Sequence, residues 1–146
     1  MVFDNRVLIA ALLGWGIAQI IKVPLEYLQT KRWNWALFFS AGGMPSSHTA
    51  LVTGLGLAIG LYEGFDSSLF AIAVVIGMVV IYDATGIRFQ AGKQAEIINT
   101  MINDLAAGHP LRQEQLKEVL GHTPLEALGG VLLGLVSGFL LWIFWH

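Results

Sequence analysis

Two histidines stand where an apolar helix is about to begin. One is His48, in Pro45-Ser46-Ser47-His48-Thr49-Ala50; the other is His122, in Gly121-His122-Thr123-Pro124-Leu125-Glu126. Ser46 and Ser47 suit a helix N-cap, where unpaired N–H groups and the positive end of the helix dipole attract anions. His48 then falls in the first turn, able to give or take a proton near neutral pH. Glu126 follows His122 by four residues, which predicts one helical face and a direct contact. An unpaired acid at the start of an apolar helix is costly, so Glu126 needs a partner.

Two imidazoles, an acid and nearby cations suit phosphoryl transfer. One imidazole attacks phosphorus. An acid on its other ring nitrogen fixes the tautomer and stabilises the imidazolium. The second imidazole protonates the leaving oxygen. Lys22, Arg88 and Lys93, with Ser46, Ser47 and helix-end N–H groups, would hold the non-bridging oxygens as charge builds. Asp83 suits either an ion-pair partner or a metal ligand. No His, Asp or Glu cluster has metal-site spacing, so neither a metal nor another cofactor is expected. His109, in a turn before Pro110, reads as structural.

These residues must be carried by a membrane. The 146-residue chain is 55% hydrophobic and only 12% charged, against about 25% charged in soluble domains. Its mean hydropathy is +0.67. A net charge of −2 argues against nucleic-acid binding, and the lack of cysteine leaves the redox compartment open.

Four apolar stretches approach the roughly 17–25 residues that span a bilayer. They run from Val7 to Ile21, His48 to Tyr62, Leu69 to Tyr82 and Leu125 to Trp145. The stem of Lys22 extends the first. Asp4 beside Arg6, and no small-residue cleavage site, make that first stretch a retained helix and not a signal peptide. Glu63 to Ser68 forms a tight polar turn between the second and third. Trp33, Trp35, Trp142 and Trp145 lie at segment ends, as an aromatic belt requires.

Seven of the eight basic residues fall in the loops after spans one and three; only Arg6 lies on the other side. The positive-inside rule then makes those loops cytoplasmic and turns both termini outward. It also brings Pro45–His48, Asp83–Arg88 and His122–Glu126 to one membrane surface. Between spans three and four, Gln90 to Ala106 predicts an interfacial helix, with Ala91, Ala95, Ile98, Ile102 and Leu105 along one apolar stripe. A short helix from Gln113 to Leu120 follows. The expected fold is an all-α membrane protein: one domain over residues 1–146, a helical bundle of about four transmembrane helices with interfacial helices between spans three and four.

Taken together, Gly43-Met44-Pro45-Ser46-Ser47-His48-Thr49-Ala50, Tyr82-Asp83-Ala84-Thr85-Gly86-Ile87-Arg88 through Gly92-Lys93-Gln94-Ala95-Glu96, and Leu120-Gly121-His122-Thr123-Pro124-Leu125-Glu126 resemble the divergent PAP2 family. These are small membrane proteins related to type 2 phosphatidic acid phosphatases and vanadium haloperoxidases. The resemblance covers nearly the whole chain. It implies that His48, in a match to the Pro-Ser-Gly-His motif, is the general acid. It implies that His122, with Glu126 and Gly130 at four-residue steps, is the nucleophile with its orienting acid. The chain departs from the wider superfamily in two places. Gln29 and Thr30 stand where an Arg-Pro pair follows the motif lysine, and Leu116 stands where an arginine precedes the nucleophile. Arg88 and Lys93 are the candidates to replace those cations. Superfamily lipid phosphatases usually have six spans, and here there are four.

The function this implies is a metal-independent lipid phosphatase with a cytoplasmic site. It would remove a phosphomonoester from a lipid such as phosphatidylglycerophosphate or phosphatidate; isoprenoid phosphates also fit. Two other classes stay open. One is a non-catalytic membrane protein that binds lipid phosphate or a partner; the other is a small transporter using Asp83 and Glu126. Four short spans also leave open a homodimer that encloses the site.

Overall fold

The computed structural model describes residues 4–40, 42–106 and 122–145, and every regular element among them is helical. Five α-helices follow one another: α1 (Arg6–Thr30), α2 (Ser47–Glu63), α3 (Ser68–Tyr82), α4 (Arg88–Ala106) and α5 (Pro124–Phe144). A 3₁₀ turn at Trp35–Phe39 lies between α1 and α2, and a π turn at Asp83–Ile87 joins α3 to α4. The expected helix from Gln113 to Leu120, with His109, Arg112, Leu116 and Lys117, lies outside the described residues.

Side-chain caps set the helix starts. Asn5 Oδ1 accepts the Leu8 N–H at 3.0 Å, Ser46 Oγ that of Thr49 at 3.3 Å, and Ser67 Oγ that of Phe70 at 3.2 Å. Each satisfies one of the N–H groups that a helix start leaves unpaired. Helix α1 stops at Lys31, whose left-handed backbone (φ 58°) turns its N–H onto the Tyr27 carbonyl. It runs nine residues past Ile21, where the first apolar stretch ends, and carries Pro24 in its interior.

Among the described residues, three helices are long and apolar enough to cross a membrane: α1, α5, and the single run Ser68–Asn103 formed by α3 and α4. The second expected span, α2, has 17 residues. That is about 26 Å of helix, against a hydrocarbon core near 30 Å. The helix of the third expected span does not stop at Asp83–Arg88. It passes through the π turn and continues. On α4, Ile98 and Leu105 of the expected apolar stripe are exposed, while Ala95 of that stripe is buried together with Gly92 and Asn99.

Helix α2 is the centre, packed against α1, α3 and α5. Small residues bring the backbones together, as they do where lipid supplies no hydrophobic drive between helices. The Ala50 carbonyl of α2 is pressed from both sides. A Cβ at Gly14 of α1 would lie 2.9 Å from it, and one at Gly134 of α5 only 2.6 Å. The outer faces of α3 and α5 carry exposed Val75, Met78, Val79, Leu132 and Val136.

The two ends of the bundle differ chemically. At one end the Tyr62 hydroxyl donates to the Trp145 carbonyl at 2.9 Å, and the Arg6 guanidinium lies 5.5 Å over the Tyr62 ring. This joins the start of α1 to the ends of α2 and α5, so α2 and α5 run parallel and α1 antiparallel to both. The opposite end collects Lys22, the starts of α2 and α5, and the π turn.

Candidate active site

Helix α2 opens on Ser46, which is fully buried. Its hydroxyl oxygen accepts from the Thr49 N–H and also from the Thr49 hydroxyl, at 2.8 Å. Its own N–H donates to the Glu126 carbonyl at 3.0 Å. This bond ties the first histidine segment to the second. It forms because Gly130 has no side chain: a Cβ there would collide with the Ser46 carbonyl and lie 2.9 Å from Thr49 Cβ.

Lys22 reaches this helix mouth from α1. It is 1% exposed, and its Nζ donates to Ser47 Oγ and to the Ser40 carbonyl, each at 3.2 Å. One turn earlier, Gln19 Nε2 donates to the Phe38 carbonyl at 2.8 Å. The two side chains hold the 3₁₀ turn and the residue after it against α1. Both Lys22 partners are neutral oxygens, so a buried cation points at the start of α2, where the helix dipole is also positive. Such a pairing of a cation with a helix start favours an anion between them.

His122 is 2% exposed, and its Nδ1 lies 3.2 Å from Glu126 Oε2. The same carboxylate oxygen accepts the Thr123 N–H at 3.1 Å, while Thr123 Oγ1 accepts the Glu126 N–H. That is a reciprocal capping box, with Pro124 in the first turn. The contact between His122 and Glu126 is therefore made, but not on a shared helical face. His122 precedes the helix, and the capping carboxylate reaches back to it. With Nδ1 engaged, Nε2 is the nitrogen left to react.

The π turn supplies the other wall. The Ala84 carbonyl accepts the His122 N–H at 2.9 Å. Arg88 Nε donates to Asp83 Oδ2 at 2.6 Å. In a regular α-helix, residues five apart diverge by about 140°. The i→i+5 bond of a π turn, here from the Arg88 N–H to the Asp83 carbonyl, stacks them. Nothing in the hydrophobic pattern disclosed this turn. The available signal was Thr85 within an apolar helix, whose hydroxyl back-bonds to the Ile81 carbonyl at 2.7 Å.

The His48 and His122 ring centroids are 6.1 Å apart, with planes tilted by 53°. His122, Arg88, Lys22 and Asp83 lie within electrostatic reach of His48, as do Lys22 and Glu126 of each other. The structure thus gathers His48, His122, Glu126, Lys22, Ser46, Ser47, Arg88 and Asp83 at one end of the bundle. Lys93 is placed differently: it is exposed, with its Nζ 4.9 Å over the Phe89 ring. Sequence reasoning missed the carbonyls of Ser40 and Ala84, since backbone acceptors carry no residue-type signature. Among the described residues, no three His, Asp or Glu groups converge as metal ligands.

Comparison with known proteins gives the family. Residues 3–137 match the divergent PAP2 family. The chain is also 38% identical to a protein of Bacillus subtilis (strain 168) described as the uncharacterized membrane protein YuiD, across 94% of each chain. No solved structure matches. The three apolar helices and the membrane-protein relative identify a membrane protein.

Proposed function

Because the chain belongs to the divergent PAP2 family, we propose that it is a lipid phosphatase acting through a phosphohistidine. The observation that carries this reading is the oriented histidine pair: His122 held by Glu126 at 3.2 Å, with His48 facing it beside buried Lys22. His122 Nε2 attacks phosphorus, and the bond from phosphorus to the lipid oxygen breaks. His48 gives its proton to that oxygen, so the lipid leaves as an alcohol. Water then attacks the phosphohistidine and returns a proton to His48, and inorganic phosphate departs. Glu126 stabilises the imidazolium formed along the way. Lys22, Ser47 and the start of α2 bind phosphate oxygens, and Arg88 adds the terminal nitrogens of its fork.

The substrate class is a phosphomonoester on a membrane lipid, such as phosphatidate or phosphatidylglycerophosphate. The site lies on the cytoplasmic surface. Lys31 and Arg32 follow the end of α1 on that side, Lys22 and Arg88 lie at the same end of the bundle, and Arg6 lies at the other.

Phosphate release from phosphatidate by detergent-solubilised protein tests the reading. His122→Ala should lower turnover by several orders of magnitude, as loss of a nucleophile does. Retention of more than about a tenth of the wild-type rate would remove His122 from the chemistry. If the wild type binds phosphatidate and releases no phosphate, the protein is a lipid-phosphate binder without turnover.

A further inference from the structure

An apolar groove of about 350 Å³ runs between α2 and α3. Its near end lies about one helical turn along α2 from His48. On α2 it is lined by Val52 and Gly56, four and eight residues after His48 and so on the same helical face. On α3 it ends at Ile81, two residues before Asp83. Glycine lies on both walls, at Gly56 and Gly77, where a larger side chain would fill the space.

Two aromatic rings line the far end. Phe65, in the turn after α2, packs edge-on against Phe70, with ring centroids 5.1 Å apart and planes at 80°. Phe65 is held there by Gly60, where any Cβ would strike its ring. From Ile81 to Phe70 the groove follows about 16 Å of helix. That matches half of a hydrocarbon core near 30 Å, the depth of one leaflet.

We propose that this groove holds a hydrocarbon chain of the lipid phosphate whose head group lies between His48 and His122, and that Phe65 and Phe70 limit its length. The proposal rests on the phosphatase reading for its ligand. A head group at the charged end of the bundle leaves its chains to run into the bilayer along the helices, and the groove runs that way. A chain already in lipid gains little hydrophobic free energy by entering. The groove therefore selects by shape: a chain that outruns the aromatic floor must bend or lift the phosphate from the histidines.

The test varies chain length and groove depth together. Purified protein is given phosphatidates with chains from about eight to about eighteen carbons, and a water-soluble phosphomonoester without chains. Phosphate release is measured for each, and retention of the same phosphatidates is measured separately by native mass spectrometry. Gly56→Leu is sterically permitted, since a Cβ there meets nothing within 4 Å. It should raise KM for long-chain substrates roughly tenfold and leave the soluble phosphoester unchanged. Phe65→Ala should shift the preferred chain to greater length, in release and in retention alike. An unaltered chain-length profile in both variants, or an equal loss on every substrate, overturns the groove assignment while leaving the phosphatase reading in place. If no substrate releases phosphate but retention still shifts with Gly56→Leu and Phe65→Ala, the groove stands and the catalytic reading falls.

Discussion

The Ser46 N–H donates to the Glu126 carbonyl at 3.0 Å. One residue caps the helix that carries His48; the other orients His122. A single backbone bond thus sets the spacing of the two imidazoles, and it depends on the approach of α2 to α5 at Gly130.

Gly130→Ala should separate the two helices. The new Cβ would meet backbone, the Ser46 carbonyl, which cannot rotate away as a side chain would. Overpacking of this kind costs about 1–3 kcal/mol. We expect a lower unfolding temperature together with a large loss of phosphate release. Gly16→Ala is the control, because a Cβ there meets nothing within 4 Å. If Gly130→Ala keeps wild-type stability and activity, the helix contact does not set the site.

Glu126→Gln should separate capping from catalysis. The amide oxygen can still accept the Thr123 N–H, so the helix start survives. The charge facing His122 Nδ1 is lost, and the imidazolium formed during phosphoryl transfer loses its counter-ion. Turnover should fall by about 100-fold or more with KM little changed, while the unfolding temperature holds. Loss of folding without a change in the activity of the remaining folded protein would make Glu126 a capping residue alone.

Arg88→Lys tests the phosphate grip. Asp83 holds the Nε edge of Arg88 at 2.6 Å, which orients the fork; a lysine keeps the charge and loses the fork. Activity should drop about tenfold or more, and inhibition by vanadate should weaken. Arg6→Lys, at the other end of the bundle over Tyr62, should change neither. Chelators should leave the wild type active. If chelator abolishes activity and Mg²⁺ restores it, Asp83 and Glu126 must be reread as metal ligands.

Membrane orientation is decided by labelling. Asp66 and Asn34 are both exposed, in the turn before α3 and in the loop after α1. In intact cells an impermeant thiol reagent should label Asp66→Cys and spare Asn34→Cys. The reverse pattern would place the histidines on the outer surface and the substrate in the outer leaflet.

The sequence by itself determined the local features: apolar helices, the cap at Ser46, the turn before α3, and the pairing of His122 with Glu126. Each depends on residues within about one helical turn, where residue type and spacing fix the partner. It also carried the gathering of charged groups at one end, because alternating spans sort the loops between two surfaces. Tertiary structure decided the rest. That Ser46 bonds Glu126 depends on Gly130, eighty-four residues away, and glycine marks many positions of this chain without saying which one meets a carbonyl. That Asp83 faces Arg88 depends on a π turn, which shifts the helical register by one residue and leaves the hydrophobic pattern unchanged. Lys22 looked like the snorkelling end of a span and is instead a buried cation on Ser47, because the loop after α1 folds back to cover it. Lys93, matched to Arg88 by charge, rests on Phe89 on exposed α4; charge alone does not say which face of a helix meets the site.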